Sequence, residues 1–127
     1  MQERNLYEYA IIRLVPKVER EEFLNIGVVL YCAKAKFLKA VFYIDENRLR
    51  AFPSAVEIDD LKQHLHIFDC ICKGQNCDSP IAQLDLPSRF RWLTATRSTI
   101  LQCSKVHPGL TQNPEETLSQ LLEQFVK

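Results

Sequence analysis

Tyr7–Val15 reads YEYAIIRLV, a run of aromatic and β-branched residues that stops at Pro16. Apolar side chains occupy both alternations, with Glu8 and Arg13 the exceptions. This is the pattern of a β-strand covered on most of both faces. Two more strands follow a charged connection, Lys17–Glu22 (KVEREE): Asn25–Cys32 (NIGVVLYC) and Phe37–Ile44 (FLKAVFYI). Only Ala33-Lys34-Ala35-Lys36 separates them, so a hairpin is expected, although that turn has neither Gly nor Asn-Gly. Lys36 and Lys39 suit an exposed rim.

The period changes at Ile58. Apolar positions then fall at Ile58, Leu61, Leu65, Phe68 and Cys72, joined by His64, Ile67 and Ile71, which predicts an amphipathic helix. Asp59 and Asp60 favour its N-terminal end, and Gly74 suits the position just past its C-terminus. Asp45–Pro53 reads as a connection with room for one helical turn. Beyond Pro87, Arg89–Thr96 (RFRWLTAT) and Ser98–Ser104 (STILQCS) read as a second hairpin, and His107-Pro108-Gly109 as a turn. Asn113-Pro114-Glu115-Glu116 opens a last helix, with Asn capping, Pro in the first turn and Glu116 completing a capping box. Strands first, then helix, hairpin and helix, argue against βαβ alternation. The expected fold is α+β, a mainly antiparallel sheet of about five strands with two main helices packed on it.

The chain has 127 residues, sixteen Lys+Arg and sixteen Asp+Glu, 46% apolar and 25% charged. These values predict one globular domain over residues 1–127 and exclude a disordered tail or a basic polyanion coat. No run is long and apolar enough to span a membrane. The N-terminal residues lack the apolar stretch of a signal peptide, and five cysteines is an odd number. The expectation is a reducing cytosol with unbridged thiols.

The zero net charge is unevenly spread. Residues 1–52 carry +2, 53–85 carry −4, 86–114 carry +4 with no acidic residue, and 115–127 carry −2. On one strand Arg89, Arg91 and Arg97 would share a face, with Phe90, Trp92 and Thr94 opposite. Such a face could bind phosphate or carboxylate. The competing reading pairs these arginines with the acidic 53–85 segment. With no net charge, nucleic acid is not expected as a partner.

His64, His66, Cys70, Cys72 and Cys77 are numerous enough for zinc. On a helix, however, residues two apart point to nearly opposite sides, so neither the His nor the Cys pair could share one ion. No metal or cofactor is expected. The helix would bury Cys72 and leave His66 and Cys70 facing water. A Cys103–His107 dyad is the best nucleophilic candidate, against a core role for Cys103. With three glycines in the chain there is no phosphate cradle and no nucleophile elbow. The sequence leans against catalysis without deciding it.

Three segments together resemble the DUF 3037 family, an uncharacterised bacterial family: Tyr7–Pro16, Glu19–Cys32 (EREEFLNIGVVLYC) and Arg89–Gly109 (RFRWLTATRSTILQCSKVHPG). The family's last segment reads closer to Ser-Pro-Val-His-x-Gly, from which Lys105 departs. The resemblance implies a small bacterial cytoplasmic protein with no established activity. Members of that family are often encoded beside a HipA-like kinase, so the resemblance also implies an accessory role. The matching residues are Arg13, Glu22, Asn25, Gly27, Arg89, Trp92, Arg97 and His107. Arg13, Glu22, Asn25, Arg89, Arg91, Arg97 and His107 are the candidate binding surface. The expected function is a non-enzymatic module engaging a protein partner. The alternative is a binder or hydrolase of a phosphorylated or nucleic-acid ligand using the Arg89, Arg91, Arg97 and His107 region.

Overall fold

The computed structural model describes residues 4–15, 23–51, 58–75, 79–95 and 100–127. YEYAIIRLV lies in β1 (Asn5–Leu14), the middle strand of an open antiparallel sheet. β2 (Leu24–Cys32) runs along one side of it, with β3 (Phe37–Phe42) beyond. The expected hairpin joins β2 to β3. Lys36 adopts φ 50° and its N–H donates to the Ala33 carbonyl over 3.1 Å, supplying the left-handed residue that the turn needs without a glycine.

Two short strands run end to end along the other side of β1. β4 (Leu101–Cys103) faces Ile12–Leu14, and β5 (His107–Thr111) faces Asn5–Tyr9. Ser104 spans the break between them. Its N–H donates to the Ile11 carbonyl, and its hydroxyl accepts from the Ile11 N–H, both at 2.8 Å. The side chain thus replaces a backbone partner and leaves neither Ile11 group unpaired.

Successive residues of β1 point to opposite faces. Ala10, Ile12 and Leu14 join one buried cluster, and Ile11 joins the other. The register shifts by one residue between Ile12–Gly27 and Arg13–Asn25, so β2 carries a bulge at Ile26, which is fully buried. Gly27 is required beside it, because a Cβ there would lie 2.6 Å from the Val41 carbonyl oxygen.

Helices cover both faces, giving three layers. α1 (Glu46–Arg50), α2 (Ile58–Lys73), a 3-10 turn (Pro80–Gln83) and α3 (Leu86–Thr94) pack on the Ala10–Ile12–Leu14 face. α4 (Pro114–Phe125) packs Leu118 and Leu121 against Ile11, Val28, Leu30 and Cys32. α2 is the helix the spacing predicts. Gly74 follows it at φ +67°, and the Gly74 and Gln75 N–H groups donate to the Ile71 and Cys70 carbonyls, a Schellman ending.

Three expectations are corrected. Arg89–Thr96 is not a strand: residues through Thr94 belong to α3. Asp85 caps that helix by accepting from the Ser88 N–H at 3.0 Å, and Pro87 sits in its first turn. Phe90 and Leu93, three apart, are both buried, which is helical spacing rather than alternation. Consequently β4 pairs with β1 and not with a preceding strand. His107-Pro108-Gly109 is not a turn but the start of β5, where an edge position tolerates Pro108. Finally, Asn113 does cap α4, accepting from Glu116 N–H at 3.2 Å, but its own N–H donates to Thr111 Oγ1 at 3.0 Å, so the reciprocal bond comes from Thr111 and not from Glu116.

Candidate functional site

The odd-numbered residues Tyr7, Tyr9, Ile11 and Arg13 of β1 face the α4 side of the sheet. α4 lies over β2 and β3, leaving the strip of that face along β1 and the outer edge more open. His107 stands opposite Tyr9 in the register, with ring centroids 5.5 Å apart. Tyr9 in turn stacks at 6.1 Å on Phe125, the last residue of α4. The Phe125 carbonyl accepts from Asn25 Nδ2 at 3.1 Å, and Asn25 is the cross-strand partner of Arg13. The Arg13 guanidinium carbon lies 4.2 Å from the centre of the Phe23 ring, a cation–π contact.

Three of the candidate residues, Arg13, Asn25 and His107, are therefore brought onto one strip of one face. Tyr9, Phe23 and Phe125 connect them, with Phe23 and Phe125 left 48% and 37% exposed. Asn25 also has a structural task. Together with Arg48, whose Nη1 donates to the Val126 carbonyl at 2.7 Å, it satisfies carbonyls at the end of α4. Arg13 Nε and Asn25 Oδ1 are buried and have no hydrogen-bond partner among the described residues. Arg13 has no carboxylate partner among them either. Burial first, and then the neighbouring Tyr9 phenol, raise the pKa of Tyr7, which keeps that hydroxyl protonated at neutral pH. Gly109 admits the Tyr7 ring: a Cβ there would overlap it.

The other candidates lie elsewhere. Arg89 Nη1 donates to the carbonyls of Ile71 and Cys72, both at 2.9 Å, across the C-terminus of α2. It serves the opposite layer of the molecule from His107. Arg91 is an exposed residue of α3, so the two do not form a shared strand face. The expected pairing with the acidic segment takes another form: Arg89 engages backbone carbonyls of α2 and not its carboxylates. Glu22 and Arg97 lie outside the described residues, as does Cys77.

Cys103 stands opposite Ile12 and His107 opposite Tyr9, on different faces of β1, so the two do not form a dyad. Cys103 Sγ donates to the Leu93 carbonyl at 3.4 Å instead. On α2, Cys72 is buried as expected, and burial above all pushes its thiol up to about 12. Cys70 does not face water: it is 5% exposed, with Sγ 3.7 Å from His66 Nε2. Among the described residues no group of three or more His, Cys, Asp or Glu could hold a metal ion. Among them, too, no helix is long and apolar enough to cross a membrane.

Sequence reasoning missed Tyr9, Phe23 and Phe125. Tyr9 shares its parity with Arg13 along β1, and that was the available signal. Phe125 reaches the strip only through pairings between residues about a hundred positions apart. No curated protein and no solved structure matches the chain. A family model described as a protein of unknown function (DUF3037) matches residues 9–126, nearly all of the chain, and the protein belongs to that family.

Proposed function

We propose that the protein is a non-enzymatic interaction module of a bacterial cytosol, and that the strip from His107 to Arg13 is its contact surface for a protein partner. The observation that carries this reading is the composition of the strip. Tyr, Phe and Arg are the residues that protein interfaces concentrate at their energetic centres. Here they stand together, partly exposed, around an arginine without a carboxylate partner among the described residues. Among the described residues the strip holds one guanidinium and one imidazole, too little charge to track a nucleic-acid backbone. A HipA-like kinase, the partner that the family resemblance implies, is the first to try.

A tagged pull-down from the native host, with and without nuclease, tests this reading beside Tyr9→Ala and Arg91→Ala variants. A stoichiometric protein that survives nuclease, is lost with Tyr9→Ala and is kept with Arg91→Ala supports the strip. Its direct rebinding as a purified protein completes the support. Capture of nucleic acid alone, or equal capture by the Tyr9→Ala variant, rejects it.

A further inference from the structure

The face of β1 that buries Ala10, Ile12 and Leu14 ends in a pair of exposed leucines. The helical layer covers this face at Tyr31, which stands opposite Glu8 and stacks on Phe90 of α3 with ring centroids 5.2 Å apart. Two residues nearer the start of β1, with the same parity, Leu6 is 59% exposed, and its cross-strand partner Leu110 is 63% exposed. We propose that this leucine pair is the centre of an interface between two copies of the chain, related by a two-fold axis and registered by reciprocal Arg4–Glu8 ion pairs.

Single exposed apolar residues are ordinary, but two directly opposite each other on paired strands form one continuous patch. Pro108, exposed and opposite Glu8, extends it along β5. The occupant follows from charge. With one parity along the chain, residues 4, 6 and 8 read Arg, Leu, Glu, so a cation and an anion flank the leucine at equal spacing. Among the described residues neither Arg4 nor Glu8 makes an ion pair within the chain. A two-fold axis lying between two copies and running across the strands sets Leu6 on Leu6 and Leu110 on Leu110. The same axis sets Arg4 of each copy over Glu8 of the other, so two attractive pairs flank the apolar contact. An axis along the strands would instead set like charges on each other, which costs affinity. The charge order thus selects a second copy in one orientation.

Two leucines from each copy make a small interface, so the dimer is weak and forms reversibly. The patch lies on the other face of the sheet from the partner strip, so each can fail without the other.

Sedimentation velocity of the chain from about 10 µM to about 1 mM reads the equilibrium directly. A monomer–dimer equilibrium is expected, weakened by added salt. Leu110→Asp should abolish it, and the exposure of that position keeps the risk to folding small. Arg4→Glu and Glu8→Arg should each weaken it about tenfold, since each sets two like-charge pairs in the dimer. The double variant restores both ion pairs in reverse and should recover most of the loss. Circular dichroism would confirm that every variant is folded. A monomer throughout the range overturns the proposal, including one whose Leu6 and Leu110 methyls show NMR contacts to another part of the same chain. A dimer that folded Leu110→Asp leaves intact overturns it as well, as does a double variant no tighter than the single ones.

Discussion

Arg89 closes the end of α2 over the Cys72 carbonyl: Nη1 lies 2.9 Å from that oxygen and 2.9 Å from its neighbour on Ile71. The last carbonyls of a helix have no partner within it and carry the negative end of its dipole. A guanidinium is well suited to both needs. It also explains Gly74, whose Cβ would approach Arg89 Nη1 to 2.8 Å as well as suffering a positive φ. Arg89→Ala is expected to cost about 1–3 kcal/mol of stability, as for a lost hydrogen bond to a charged group. Arg91→Ala, on the exposed side of the same helix, should change stability by less than about 0.5 kcal/mol. Urea unfolding of the two variants checks the contrast, and equal effects would contradict the assignment.

Gly27 and Gly109 predict a graded pair of alanine effects. At Gly27 the added methyl meets the backbone oxygen of Val41, which cannot move without disturbing β3. At Gly109 it meets the Tyr7 ring, which can swing outward. Gly27→Ala should lose about 1–3 kcal/mol by overpacking, and Gly109→Ala less. Gly109→Ala should instead displace Tyr7, visible as a change in its ring resonances.

Cys72 predicts an alkaline loss of stability. Its thiol titrates near 9.0 in a free chain and is pushed up to about 12 in the fold, by burial first and then by Asp69. Below pH 9 the folded and unfolded chains both hold this proton, so Cys72 adds no pH dependence. Between the two values the folded chain holds more protons, and stability falls as pH rises. Denaturation curves across that window should be less steep in pH for Cys72→Val than for the native chain. Iodoacetamide should likewise modify Cys72 at neutral pH only after unfolding.

Asn113 and Thr111 predict a shared loss at the start of α4. Asn113→Ala removes the bond to Glu116 N–H and should cost about 1 kcal/mol. Thr111→Val leaves the Asn113 N–H without its hydroxyl and breaks the contact with Thr117 Oγ1 at 2.5 Å. The double variant should cost less than the sum of the two, since both act on the same turn.

The parts of the fold legible in the sequence are those where one period dominates. β1, β2 and β3 show strand composition throughout, and α2 and α4 carry long amphipathic spacings with a glycine or asparagine at one end. α3 was hidden because Arg-Phe-Arg-Trp alternates like a strand, while its helical spacing, Phe90 to Leu93, is too short to outweigh that pattern. β5 was hidden because Pro108 and Gly109 are turn residues in most settings. Here the first sits on an edge and the second makes room for Tyr7. Of the site, Arg13, Asn25 and His107 could be named from the family resemblance. What joins them could not, because the Tyr9–His107 register and the Asn25–Phe125 bond depend on which strands become neighbours. Arg89 was misplaced for the same reason, since its partners are carbonyls exposed only where α2 ends.

A protein partner docked on the His107–Arg13 strip would lie within crosslinking reach of His107. A photo-crosslinking amino acid placed at His107 and, separately, at the exposed Gln63 of α2 would test it in living cells of the native host. One discrete protein adduct is expected from position 107 and none from position 63, with the adduct unchanged by nuclease. Adducts from position 63 alone, or nuclease-sensitive adducts from position 107, would contradict it.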